Sequence, residues 1–142
     1  MAALILGTIA LTLLFLSLYN KSNGESYIYN KLNKIKASDF EEFIIENPDS
    51  IIYISDKDCL TYEKLEKKFI KKLENLNLIK STVYMELSEV PKKIQEYLKE
   101  EKIDINEKYP VIVIMHDGKF TEKVIITTDS YVEDIVDYGD FE

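Results

Sequence analysis

The stretch SIIYISDKDCLTYEKL, residues 50–65, joins a short apolar run to a helical pattern and contains the only cysteine of the chain, Cys59. Its first part, SIIYIS, is β-branched and aromatic and too short for an independent helix, which favours a strand buried on both faces. From Leu60 onward, apolar residues recur at roughly helical spacing, which predicts an amphipathic helix of about four turns. The chain therefore passes from a buried strand to a helix near Cys59.

The segment before this strand contains one predicted helix and one ambiguous stretch. Ser38, with Glu41 three residues later, forms a capping box, so a helix is predicted from here to the residues before Pro48. For YIYNKLNKI, residues 27–35, the pattern leaves a first strand and a short helix open.

The segment after residues 50–65 alternates strands and helices and then forms a hairpin. STVYMEL, residues 81–87, predicts a strand, and VPKKIQEYLKEE, residues 90–101, predicts a helix with a proline in its first turn. Two apolar strands over residues 109–128 are joined by Asp117-Gly118, which indicates a two-residue β-turn. A final helix is predicted from Ser130. Strands separated by helices are parallel through crossovers, so we expect an α/β fold with a mixed central sheet and helices on both faces.

The N-terminal residues predict a membrane anchor. Residues 2–19, AALILGTIALTLLFLSLY, are eighteen residues without a charge, and a helix of that length spans roughly 27 Å, close to the hydrocarbon thickness of a bilayer. A cleaved signal peptide is the competing interpretation, but no lysine precedes the run. The predicted organisation is a transmembrane anchor over 1–19, a polar linker over 20–26 and one folded domain over 27–142.

Composition excludes several classes of function. The 142-residue chain has a net charge of −8 and no arginine, so it repels phosphates and lacks the side chain best suited to reading nucleic acids. One cysteine forms no internal disulfide. Cys59 and the lone His116 show no zinc-ligand spacing, so no metal site and no cofactor are predicted, and His116 is interpreted as a solvated residue.

Two segments, together with the order of elements, resemble the thioredoxin family over about residues 27–142. IIYISDKDCLTY, residues 51–62, is similar to the strand and helix start where thioredoxins carry Trp-Cys-Gly-Pro-Cys. YPVIVIMHDGK, residues 109–119, is similar to their cis-proline, strand and turn. The resemblance implies a thioredoxin-like fold behind the N-terminal transmembrane helix.

The resemblance also implies roles for individual residues. Cys59 takes the place of the nucleophilic cysteine and Pro110 that of the cis-proline facing it. Tyr62 stands at the second, resolving cysteine, Asp58 at the tryptophan before the nucleophile, and Tyr53 at the buried acid. Because a second thiol is needed to resolve a mixed disulfide, two-cysteine turnover within this chain is excluded.

Three functions remain open for the sequence. The first is a membrane-anchored binding or accessory module whose groove, lined by Asp58, Tyr62, Tyr109 and Pro110, takes a protein or extended peptide. The second is monothiol exchange at Cys59, although neighbouring carboxylates oppose the thiolate and an inert cysteine is the simpler interpretation. The third is a structural subunit of a membrane complex.

The side of the membrane on which the domain lies is left open by two conflicting arguments. Lysines that closely follow the apolar run, beginning with Lys21, favour a cytoplasmic domain under the positive-inside rule. The family resemblance implies an extracytoplasmic one.

Overall fold

A computed structural model describes residues 24–105 and 110–125. The strands are β1 (Asn33–Lys34), β2 (Ser50–Ser55), β3 (Thr82–Glu86), β4 (Val111–His116) and β5 (Lys119–Ile125). The α-helices are α1 (Tyr27–Lys31), α2 (Phe40–Glu46), α3 (Glu63–Asn75) and α4 (Lys92–Glu100). Short 3₁₀ turns lie at Ala37–Asp39, Ile79–Ser81 and Leu87–Glu89.

The five strands form one mixed sheet in the order β1-β3-β2-β4-β5. Strand β2 lies at its centre, parallel to β3 and antiparallel to β4, and all six of its residues are buried. Strand β1 runs parallel to β3, and β5 runs antiparallel to β4. The predicted central strand, the parallel crossovers and the mixed sheet are confirmed.

Helices cover both faces of the sheet, because alternate residues of β2 point to opposite sides. Ile51 and Tyr53 belong to a core that includes α1 and α3 residues. Ile52 and Ile54 belong to a second core that includes α2 and α4 residues. The two-sided burial predicted from SIIYIS therefore accounts for the layered architecture.

Residues 27–35 contain both of the elements that the sequence left open. Ser26 Oγ accepts a hydrogen bond from the Tyr29 N–H at 3.4 Å and caps α1. The chain then leaves the helix at Leu32, forms β1, and the Ile35 N–H donates to Tyr84 O at 2.9 Å. A helix and a strand thus follow one another within nine residues.

Two predicted helix starts differ from the structure. Ser38 does not cap α2, because its hydroxyl donates to Asp39 Oδ1 at 2.7 Å and the helix begins at Phe40 after a 3₁₀ turn. Pro91 lies at the N-cap of α4, one position before the first turn in which the sequence placed it. The end of α2 at Glu46, before Pro48, matches the prediction.

Several predictions fall wholly or partly on residues outside the described ranges. These are the anchor over 2–19, the first part of the linker, Tyr109 and the final helix from Ser130. Within the ranges that the structure covers, no helix has both the length and the apolar character needed to cross a bilayer.

The predicted hairpin turn is present, and both central residues have positive φ, 49° at Asp117 and 70° at Gly118. This is the backbone of a type I′ turn, whose twist matches the flanking strands. The Gly118 N–H also donates to Pro48 O at 3.0 Å. Glycine fits the second position because it carries no Cβ penalty at positive φ.

We expect Gly118→Ala to lower the free energy of unfolding by about 1 kcal/mol because the left-handed backbone disfavours a Cβ. Space is not limiting, since an added Cβ would meet Ile44 Cγ2 at an ordinary 3.5 Å. Urea denaturation measures the loss. Gly118→Asn is the matched control and should lose less, because asparagine tolerates this conformation. An alanine variant as stable as the parent chain would contradict the turn assignment.

Candidate functional site at the Cys59 loop

The Cys59 loop, residues 56–62, connects the carboxyl end of β2 to α3. Helix α3 begins at Glu63, so Cys59 lies four residues before the helix rather than at its start as the sequence suggested. Asp56 accounts for the delay, since its carbonyl accepts the Cys59 N–H at 3.0 Å and its Oδ1 accepts the Asp58 N–H at 2.9 Å. These bonds close a turn that holds the backbone out of the helix. Cys59 therefore lies outside the first helical turn, where the helix dipole acts.

A carboxylate from β3 holds the same loop from outside. The Lys57 N–H donates to both Glu86 carboxylate oxygens, at 3.3 and 3.4 Å. The buried Tyr84 hydroxyl donates to Ser55 O at 2.6 Å and lies 3.3 Å from Glu86 Oε2. Burial raises the pKa of both Glu86 and Tyr84. The loop is thus joined to the end of β3 by a partly buried acid.

The chain preceding α1 also meets this loop. The Ser26 N–H donates to Lys57 O at 2.6 Å, and Ser26 is fully buried. The polar segment that the sequence assigned to a linker therefore joins the fold directly at the Cys59 loop.

A buried acid that the sequence analysis missed lies behind the loop. Glu66, in the first turns of α3, has no exposed surface. Its Oε1 accepts from the Tyr53 hydroxyl at 3.2 Å, and its Oε2 accepts from the Ile28 N–H at 3.2 Å. The resemblance aligns the family's buried acid with Tyr53, which is not an acid. In the structure a buried acid, Glu66 of α3, lies beside that tyrosine.

The pKa of Glu66 is raised chiefly by desolvation, which the hydrogen bonds from Ile28 and Tyr53 only partly oppose. A sequence signal for this residue exists. Glu66, Phe69, Ile70 and Leu73 are the buried residues of α3 and follow helical i, i+3, i+4, i+7 spacing. An acid within an apolar stripe indicates a buried polar contact.

The predicted groove residues fall into different environments. Asp58 is exposed and Cys59 is half-buried. Tyr62 is partly buried and packs against the core shared by α1 and α3, so its ring acts in packing.

Pro110 is buried, and the pairing of Ile54 with Val111 places it at the same end of the sheet as the Cys59 loop. Tyr109 lies outside the described residues, and so the geometry of its bond to Pro110 stays a prediction.

A cleft of about 560 Å³ lies beside the loop on the β1 and β3 side. Its walls include residues 56–58, the segment 86–89 that follows β3, and residues 34–36 of the edge strand. Three lysines, among them Lys57, and four acidic residues, among them Asp58 and Glu86, line it. Such a cleft suits a polar ligand of mixed charge.

A second polar cluster lies at the opposite end of the sheet. Asp49, His116 and Asp117 place one potential metal-ligand atom each within 4.8 Å of one another, although the sequence predicted no metal site. Existing bonds account for the cluster, since Asp49 Oδ1 lies 2.8 Å from His116 Nδ1 and accepts the Asp117 N–H at 3.0 Å. All three side chains are exposed. The solvated character predicted for His116 is confirmed, and the cluster fastens the hairpin turn to the start of β2.

The fold of the described residues is similar to that of solved thioredoxins. Mitochondrial thioredoxin 3 from Saccharomyces cerevisiae aligns with a TM-score of 0.57 and 17% identity, over 78% of this chain and 98% of that one. The chain has a thioredoxin-like fold. Thioredoxins from Fasciola hepatica and Plasmodium falciparum align with TM-scores of 0.54 and 0.53, each at 14% identity, over 77% and 75% of this chain and 99% and 98% of theirs.

Comparison of the sequence with protein families and with curated proteins found no match. Identities of this size establish the fold alone, and the function of a domain depends on the residues of its own site.

We expect the stability difference between the parent chain and Glu66→Gln to shift in favour of the parent as pH falls from neutral to about 4. The folded pKa of Glu66 is raised, so the folded state binds the proton more tightly and gains stability as pH falls. Each unit of elevation contributes about 1.4 kcal/mol. Urea denaturation across this pH range measures the difference.

Glu74→Gln is the matched control for this titration, because Glu74 is an exposed acid in the same helix. The Glu66 variant should show the larger change with pH relative to the parent. Equal pH profiles for the Glu66 and Glu74 variants would contradict a desolvated Glu66.

We expect Glu86→Ala to raise the rate of Cys59 alkylation by iodoacetamide roughly five- to tenfold, since a lost hydrogen bond to a charged acceptor frees the loop to open. Glu89→Ala removes another carboxylate from the same cleft, and it should leave the rate nearly unchanged. Equal acceleration in both variants would show that charge, rather than the bond to Lys57, controls access to the thiol.

Proposed function

We propose that this protein is a membrane-anchored, thioredoxin-like module that binds an extended protein segment at the Cys59 loop without dithiol turnover. The observation that carries the proposal is the loop itself, which holds a single thiol and yet is fixed by bonds to Asp56, Glu86 and Ser26. An ordered loop costs less entropy when a partner binds. An ordered Cys59 loop in a chain with no second thiol favours binding of a partner over redox turnover.

The thiol chemistry argues against dithiol exchange. Such an exchange needs a thiolate to attack and a neighbouring thiol to resolve the mixed disulfide. The chain has one cysteine, and the resemblance aligns the resolving position with Tyr62, whose ring packs into the α1 and α3 core.

The neighbouring cleft supports binding of a polar partner. Its lysines and carboxylates can pair with side chains of both signs, and exposed Asp58 stands at its rim next to Cys59. Carboxylates such as Glu86 are already oriented by backbone N–H groups. Ligands commonly bind at the carboxyl ends of strands in open α/β sheets, which is where this cleft lies.

The anchor and the point at which the chain enters the fold suggest where the partner lies. Residues 2–19 have the length and apolar character of a membrane span. The following linker, residues 20–26, reaches at most about 25 Å when extended. Because Ser26 is bonded to Lys57 O, the loop lies at the tethered end of the domain. The partner we propose is therefore an extramembrane segment of a protein in or near the same bilayer.

Monothiol exchange is the second candidate, and it is favoured because Cys59 is not fully buried, so that part of the residue stays accessible to a client disulfide. In this reaction the Cys59 thiolate attacks a client disulfide, forms a mixed disulfide and releases the client's other sulfur as a thiolate. A small external thiol then attacks the mixed disulfide, restores Cys59 and takes the client sulfur. Failure to trap any adduct at Cys59 under mild oxidation would sink this candidate.

We expect a photocrosslinking amino acid at position 58 to capture the same partner in the parent chain and in Cys59→Ser. Recognition by the loop and cleft does not use the sulfur, so the yield should be unchanged. Position 119 is the matched control, because Lys119 is also exposed but lies at the opposite end of the sheet, and it should give no such product. Loss of the product in Cys59→Ser, with folding intact, would favour monothiol exchange.

A further inference from the structure

The charge of the surface formed by α1 and α3 is opposite to that of the whole chain. The chain carries −8, but α3 presents five lysines against two exposed glutamates, Glu63 and Glu74, because Glu66 is buried. On the other face of the sheet, α2 carries three glutamates and no lysine. The excess acid thus lies elsewhere, and one face is locally basic.

The lysines of α3 form an outward stripe. Lys64, Lys68 and Lys71 are exposed and follow i, i+4, i+7 spacing, on the side of the helix opposite its buried residues. Helix α1 packs against α3 and adds Lys31 to the same face. We call this surface, formed by α1 and α3, the lysine face.

A tyrosine of α1 lies between lysines of both helices. The Lys31 and Lys67 ammonium groups lie 5.6 and 5.5 Å from the centre of the Tyr27 ring. Tyr27 is only partly buried. Tyrosine and lysine together are the side chains that favour the headgroup region of a bilayer.

The lysine face is also the part of the fold nearest the proposed anchor along the chain. Tyr27 follows directly on the linker 20–26, whose reach of about 25 Å keeps α1 close to the headgroups. Anionic headgroups attract exposed lysines within a Debye length, which is about 8 Å at physiological salt. The length of the linker and the charge of the lysine face therefore both favour contact with anionic lipid headgroups.

We propose that the lysine face docks on anionic lipid headgroups and so orients the domain on the membrane. The inference rests on the membrane anchor of the proposed function and adds a defined orientation, with α1 and α3 toward the bilayer and α2 and α4 away from it. The Cys59 loop, at the tethered end of the sheet, would then be presented beside the membrane surface.

The test uses the full chain in nanodiscs of phosphatidylcholine, with or without phosphatidylglycerol. A nitroxide is placed at Asn75→Cys, at the exposed end of the lysine stripe, in a Cys59→Ser background, and relaxation by a nickel-chelating lipid is measured. The matched reporter is Glu96→Cys, exposed on α4. We expect relaxation at position 75 only in the anionic nanodiscs, and its loss at high salt.

Charge reversal gives the second arm of the test. Lys64→Glu/Lys68→Glu/Lys71→Glu should lower the ratio of docked to undocked domain at least roughly a hundredfold, since each lysine contributes about a fivefold preference near an anionic surface. Lys92→Glu/Lys93→Glu/Lys99→Glu makes the same charge change on α4 and should leave the ratio nearly unchanged.

Three outcomes would overturn the inference, and they are distinguishable. Insertion into nanodiscs without any dependence on lipid charge would overturn docking alone. Equal relaxation at positions 75 and 96 would overturn the orientation. Failure of the chain to enter nanodiscs would overturn the anchor, and docking with it.

Discussion

The two-sided burial of β2 is the constraint on which the rest of the structure depends. Every residue of this strand is buried, so helices must cover both faces of the sheet and the chain must cross over between them. At the carboxyl end of β2 the chain leaves the core and reaches the surface. Cys59 lies in the loop that follows, and the cleft lies beside this loop, where β2 and β3 end.

Two carboxylates then determine how this end of the sheet is held. Glu66 joins α1, β2 and α3 from inside through Ile28 and Tyr53. Glu86 joins the loop to β3 from outside. Glu66 is fully buried and Glu86 partly buried, and the hydrogen bonds of both acids join structural elements. In this thioredoxin-like fold the acids order the loop, and the chain has one thiol. Such a site is better suited to binding a partner than to oxidising it.

The elements that depend on local pattern were predictable from the sequence. The strand 50–55 and the Asp117-Gly118 turn carry their own signals, and both are confirmed. Features that depend on tertiary partners were not. Glu66 acquires its role from Tyr53 and Ile28, which lie 13 and 38 residues away along the chain. The helix after Cys59 starts late because Asp56 competes for the backbone, and helix propensity alone does not reveal that competition.

We propose that Cys59 marks a binding position and is not an activated thiol. The most direct measurement is the rate constant for alkylation of Cys59 by iodoacetamide at neutral pH, in the folded chain and in the urea-unfolded chain. A half-buried thiol outside the first turn of α3 should react no faster when folded than when unfolded. A folded rate about tenfold or more above the unfolded rate would show that Cys59 is activated, because only a fold that stabilises the thiolate or aids its attack produces such a gain.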